Sequence, residues 1–184
     1  MKLAILLCLA LAANAQRKSG NPLDQLPPNI EQLTHFGERA DIAPDNASVA
    51  FMGKSFGDAF TIDVKTRVIR CLTCNVPGAA FLRVMHLSTG DYILIGPEKF
   101  TDIHISRGRD NELWFLSRKP GSKPVRLGRR MNEGAGVSKK SLLISYSQTS
   151  THEPSLARGA SRLLIAEVDP AAGRHTKCAN SSRS

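Results

Sequence analysis

Apolar positions in this chain come in short runs of β-branched and aromatic residues, each closed by a polar turn. In Asp41–Gly53, "DIAPDNASVAFMG", the pair Asp45-Asn46 follows Pro44. Short polar side chains of this kind hydrogen-bond their own backbone and tolerate the left-handed region, so a turn is predicted there, followed by the strand "SVAFM". The turn "GKSFGD" leads into "AFTIDV", and "KTR" leads into "VIRCLT". Three to four short strands at close spacing predict an antiparallel meander. The same order returns in "FLRVMHLSTGDYILIG", with a Thr89-Gly90 turn, and in "NELWFLSRKPGSKPVRLG". It returns again in "GAGVSKKSLLISYS" and "SRLLIAEVDPAAG".

Aligned on the central strands, Phe51, Leu94 and Ile144 lie 43 and 50 residues apart. A period of about 40 to 50 residues is that of four-stranded propeller blades, whose faces are buried by stacking on a neighbour. The longer second interval is assigned to an insertion in the polar loop "QTSTHEPSLARGA". The expected fold is therefore all-β, tandem four-stranded antiparallel blades of a partial β-propeller. The blades are placed at about 33–78, 79–128 and 129–173, after an N-terminal segment 16–32 and before a disordered tail 174–184. Closed propellers typically have four to eight blades. Three units are expected to leave an open edge that invites pairing with another chain.

The first 15 residues change the setting. Lys2, the apolar run Leu3–Ala12 and the small residues Ala13 and Ala15 around Asn14 form a secretory signal pattern, so the mature chain is expected to begin at Gln16 and to be secreted. No later stretch approaches the roughly 20 apolar residues of a transmembrane helix. With 184 residues, 41% hydrophobic and 22% charged, the chain suits one globular domain. The formal charge of +9 is thickest in "LSRKPGSKPVRLGRR" and "SKKS". That charge could draw acidic polysaccharide, anionic membrane or nucleic acid, which makes a polyanion-binding secreted protein a further alternative. Solvated loops are the preferred reading, because the charges fall between apolar runs and lack the aromatic interleaving of nucleic-acid platforms, which argues against nucleic acid.

The opening unit "ERADIAPDNASVAFMGKSFGDAFTIDVKTRVIRCLT" resembles the TolB-like, WD-repeat-like β-propeller repeat, in the manner of secreted fungal members. Pro44, Asp45, Ala50, Phe51, Ile62, Asp63, Leu72 and Thr73 carry the resemblance, and Asn46 stands where the family usually has Gly. It covers roughly Leu33–Asp169 and implies a fold. It implies no activity, since propellers host binding, scaffolding and catalytic roles alike.

Candidate chemistry is sparse. His35, His86, His104, His152 and His175 are scattered; the nearest acid/base pair, Asp102 with His104, would share a face if "TDIHI" were a strand. A dipeptidyl-peptidase-like hydrolase fragment is the alternative reading, expected to lack its catalytic half because no Gly-x-Ser-x-Gly elbow is expected in the chain. Cys71 and Cys74 form the disulfide candidate. Adding His175 and Cys178 would make a Cys3His zinc set, which export disfavours. Asn46 and Asn180 head Asn-x-Ser sequons and are glycosylation candidates. Trp114, between Leu113 and Phe115, is expected to fill a blade interface, and Gly134 and Gly136 to mark a tight blade entry. The chain is thus read as a secreted non-catalytic binding or scaffold module, without cofactor or metal, for a protein or carbohydrate ligand. Mass analysis of secreted protein is expected to find Gln16 first and no alkylation of Cys71 or Cys74 without reduction. Two freely alkylated thiols there would remove the disulfide.

Overall fold

The computed structural model describes residues 20–170 and the backbone of residues 179–180. The signal segment, His175, Cys178, the side chain of Asn180 and most of the tail lie outside the described residues. Described residues up to Gln32 belong to a compact unit of their own. It holds one turn of 3-10 helix, Pro22–Gln25, where the Asn21 side chain accepts the Leu23 N–H. Proline suits such a first turn because its missing N–H is not needed there.

From Leu33 onward the chain is all-β, built as three four-stranded antiparallel sheets. Blade 1 comprises β1 (Glu38–Ile42), β2 (Ser48–Met52), β3 (Ala59–Asp63) and β4 (Ile69–Cys71). Blade 2 comprises β5 (Arg83–His86), β6 (Tyr92–Pro97), β7 (Asn111–Leu116) and β8 (Val125–Arg130). Blade 3 comprises β9 (Ala135–Val137), β10 (Leu143–Thr149), β11 (Ser161–Glu167) and β12 (Ala179–Asn180). Strands adjacent in sequence pair in every sheet, which is the meander that the spaced turns predict. The sequence pattern does not predict β12, yet it pairs with β11 within the stretch expected to be tail.

Phe51, Leu94 and Ile144 all fall on the second strand of their sheets and pair across to Phe60, Trp114 and Ala166. The length difference between the two intervals has another source than the one expected. The loop 150–160 lies beyond Ile144, whereas the connection 98–110 between β6 and β7 lies between Leu94 and Ile144. That connection is seven residues longer than the β2–β3 connection 53–58, which matches the difference between 43 and 50.

Repeat-motif residues do identifiable work. Asp45 accepts the Ala47 N–H, and Asn46 takes the left-handed conformation the turn needs, with φ 59°. Asp63 accepts the N–H groups of Lys65 and Thr66, closing the β3–β4 turn. Thr73 is buried, donates to Asp58 at 2.7 Å and accepts the Ala59 N–H at 3.0 Å.

Because side chains alternate along a strand, β6 serves two cores at once. Tyr92 and Leu94, with Val84 and Leu116, pack on Ala50, Met52 and Ala59 of blade 1. Ile93 and Ile95, with Leu113 and Phe115, pack on Ile144, Tyr146, Ala166 and Val168 of blade 3. Trp114 fills the first of these interfaces as expected, and its Nε1–H donates to the Gly96 carbonyl at 2.9 Å. Of the glycines expected at a close approach, Gly136 meets the Ser145 hydroxyl, but Gly134 stands in open space. The tight crossing is at Gly96, where a Cβ would lie 2.7 Å from the Ala80 carbonyl oxygen and 2.9 Å from the Phe81 Cα. Gly96→Ala is expected to destabilise the fold by about 1–3 kcal/mol, as overpacking does, while Gly134→Ala changes little in a thermal or urea melt. Equal effects of the two would contradict this placement.

Candidate functional site

Where the turn after β1 meets the ends of β5 and β6, three blades converge on one carboxylate. Asp41 ends the bulged part of β1, His86 ends β5, and Lys139 follows β9. Asp41 Oδ2 accepts the His86 backbone N–H at 2.7 Å and lies 3.0 Å from His86 Nδ1. Lys139 Nζ donates to Asp41 Oδ1 at 2.9 Å and Oδ2 at 2.7 Å, and to the His86 carbonyl at 3.3 Å. A carboxylate can only accept, so the His86 Nδ1 that faces Asp41 carries a proton. The Ser48 hydroxyl stands 3.4 Å from His86 Nε2.

The His86 side chain is 2% exposed, and its ring lies 5.0 Å from that of Tyr92. Burial pushes the Asp41 carboxyl upward, but the hydrogen bonds from His86 and Lys139 and the nearby ammonium charge outweigh it and hold the group below its usual range. Beside this network opens a cleft of about 320 Å³ between blades 1 and 2. Pro44, Ser48, His86, Ser88, Tyr92 and Arg118 are among its lining. Arg118 is exposed at its edge, and its guanidinium has no ion pair among the described residues.

Ser48, His86 and Asp41 follow the order of a nucleophile, base and orienting carboxylate. Two features work against proton transfer here. The hydroxyl is outside the 2.6–3.2 Å reach of a working base. Lys139 already compensates the charge that would otherwise stabilise an imidazolium.

The predicted residues fare differently. Asp102 and His104 are not on a strand: residues Ile103–Ile105 form a short helix, and Asp102 caps it by accepting the N–H groups of His104 and Ile105. The carboxylate is thereby committed to backbone donors, a preference of short acidic side chains at helix starts. The elbow expectation also needs correction, because Gly53-Lys54-Ser55-Phe56-Gly57 does have the Gly-x-Ser-x-Gly spacing. It joins two antiparallel strands rather than a strand and a helix, and Ser55 is held by Glu38 at 2.5 Å and Arg39 at 2.8 Å, with no histidine hydrogen-bonded to it among the described residues. That context is not a nucleophile elbow.

Cys71 and Cys74 are joined, with sulfurs 2.00 Å apart. Asp58 lies against both, but disulfide sulfurs offer no thiolate to a metal. Asn46 is exposed at the β1–β2 turn, open to a glycan. Basic residues are partly absorbed by the fold: Arg126 binds buried Glu112 through two hydrogen bonds, at 2.9 and 2.7 Å, and reaches Glu98. Sequence reading overlooked His86 because its partners lie 45 and 53 residues away. The nearest signal was an acid ending one strand and a histidine ending another.

No protein-family model matches the chain, and no curated protein sequence matches it. Among solved structures the chain is similar to TolB from Acinetobacter baumannii, at 17% identity and a TM-score of 0.47. The likeness covers 76% of this chain and 32% of that one, so the chain spans about a third of that protein's length. The description as blades rests on the sheets themselves. No helix among the described residues is long and apolar enough to cross a membrane. The disulfide is compatible with an extracellular protein.

Asp41→Asn is expected to cost about 2 kcal/mol, the scale of a lost charged hydrogen bond. Because folding depresses this carboxyl, its contribution is complete above about pH 4 and fades as pH falls through the folded value. The stability gap between native protein and Asp41→Asn should therefore narrow below about pH 4 in urea titrations. A gap that is constant from pH 7 to pH 2 would exclude the electrostatic role.

Proposed function

We propose that this chain is an exported, TolB-like, non-catalytic blade module that binds a hydroxylated ligand carrying a carboxylate, of the acidic-carbohydrate kind, in the cleft between its first two blades. The observation that carries the reading is the cleft's chemistry. A buried imidazole, a serine hydroxyl, the Tyr92 ring and an exposed guanidinium with no ion pair among the described residues line it, and Asp45, the one carboxylate in the lining, is turned to the Ala47 N–H. Guanidinium binds carboxylate through two parallel hydrogen bonds, hydroxyls and an imidazole nitrogen suit sugar hydroxyls, and an aromatic wall suits a sugar's apolar face. The network beneath holds the His86 ring in place, so that side chain has little entropy left to lose on binding. Export is supported by the N-terminal pattern and the disulfide, and a glycan on Asn46 fits that compartment.

Calorimetry of the full chain with oligosaccharides containing glucuronate is expected to give saturable binding, with neutral oligosaccharides of equal length weaker. Arg118→Ala should weaken the acidic probe about tenfold. Equal binding of both probes, or none, would sink the reading. Non-catalysis is tested separately: the chain should resist labelling by a fluorophosphonate at Ser48 and Ser55. Labelling abolished by His86→Ala would establish the hydrolase alternative instead.

A further inference from the structure

The two ends of the blade stack complement one another. Leu94 faces blade 1 and Ile144 faces blade 2, so each points toward the preceding sheet. Phe51 lies between Ala50 and Met52, which face blade 2, and therefore also points toward a preceding sheet. No blade among the described residues occupies that side. Phe51 is 3% exposed because Phe36 and Phe60 cover it, with ring centroids 5.5 and 5.7 Å away. Beside it Leu33, Phe36, Val49, Phe51 and Ile62 line an apolar hollow of about 220 Å³.

At the opposite end the face of blade 3 that points away from blade 2 carries a ridge. Ile144, Tyr146 and Ala166 point into the blade 2 interface, so their strand neighbours Leu143, Ile165 and, by alternation, Leu163 point out. These three are 39%, 46% and 79% exposed. Leu163 and Ile165 pair with Ser147 and Ser145, so they stand proud of small neighbours. The corresponding faces of blades 1 and 2, at Met52 and at Ile93 and Ile95, are fully buried by the next blade.

We propose that two copies of this chain stack head to tail, the Leu143, Leu163 and Ile165 ridge of each seated in the Phe36 and Val49 hollow of the other, closing one ring. Both contacts keep the polarity of the interfaces that join blade 1 to blade 2 and blade 2 to blade 3, the outward face of one sheet against the preceding-side face of the next, with Phe36 added between them. The occupant is a second copy because one chain presents both halves of the contact at opposite ends. Such a heterologous contact either closes into a ring or runs on as a filament. Two copies of the three described blades make six, within the range of four to eight in which propellers close.

Analytical ultracentrifugation and light scattering of the full chain decide the matter. The expected mass is twice that of one chain, independent of concentration above the dissociation constant. A monomer at high concentration, or a mass that keeps growing with concentration, would overturn the closed ring. Leu163→Glu and Phe36→Glu, each checked for native circular dichroism, should each weaken association by on the order of 30-fold or more. Mixing the two variants should restore a dimer, since the intact ridge of one meets the intact hollow of the other. A Phe36→Glu protein that stays fully dimeric, or a mixture that stays monomeric, would show that the contact is not head to tail. If either variant loses its native spectrum, changes at exposed positions, Ile165→Arg on the ridge and Ala40→Arg beside the hollow, make the same pair.

Discussion

Burial of both faces of β6 is the constraint on which the rest of the structure depends. A sheet whose two faces both carry large apolar side chains has to be covered twice, and Tyr92 and Leu94 toward blade 1 with Ile93 and Ile95 toward blade 3 impose that demand at the centre of the stack. Apolar burial contributes roughly 25 cal/mol per Å², so the sheets are held face to face by area rather than by directional bonds. Face-to-face packing leaves choice in how one sheet slides on the next. The paired backbone hydrogen bonds between Gly57, in the β2–β3 connection of blade 1, and Phe81, in the segment leading into β5, remove part of that freedom.

The Asp41 network removes more of it. One carboxylate on blade 1 receives an imidazole and an amide from blade 2 and an ammonium from blade 3, so a shift of any sheet breaks a charged hydrogen bond. Partly buried groups of this kind cost free energy when left unpaired, which makes them better at specifying an arrangement than at stabilising it. The same bonds orient His86 and through it the cleft floor. One cluster therefore both ties the three sheets together and fixes the His86 ring beside the cleft, with the Ser48 hydroxyl 3.4 Å from its Nε2.

The end faces follow the same logic with a neighbouring blade on one side alone among the described residues. Phe36 folds over Phe51 and Phe60 and covers part of the preceding-side face of blade 1, and Gly37, at φ 110°, lets the chain lie so close that a Cβ would strike Phe51. No comparable segment among the described residues covers Leu163. One end of the stack is thus partly sealed into a hollow and the other is left as a ridge, an asymmetry that comes from local chain paths and not from the repeat.

The sequence by itself determined what short-range physics controls. Alternating apolar runs and the turn chemistry of Pro44, Asp45, Asn46 and Asp63 specified strands, hairpins and the repeat, because each depends on residues within a few positions. The Cys71–Cys74 pair and the interface role of Trp114 were legible for the same reason. Residues 102–105 misled because an apolar alternation also fits one helical turn, and the capping bond of Asp102 decided between them. The elbow spacing at 53–57 carried no catalytic meaning until its flanking elements were known to be two antiparallel strands. Only tertiary structure decided the site and the ends. Asp41, His86 and Lys139 are brought together across 45 to 98 residues of chain, and which face of each sheet stays uncovered depends on how the sheets stack, a matter of long-range packing that no local pattern encodes.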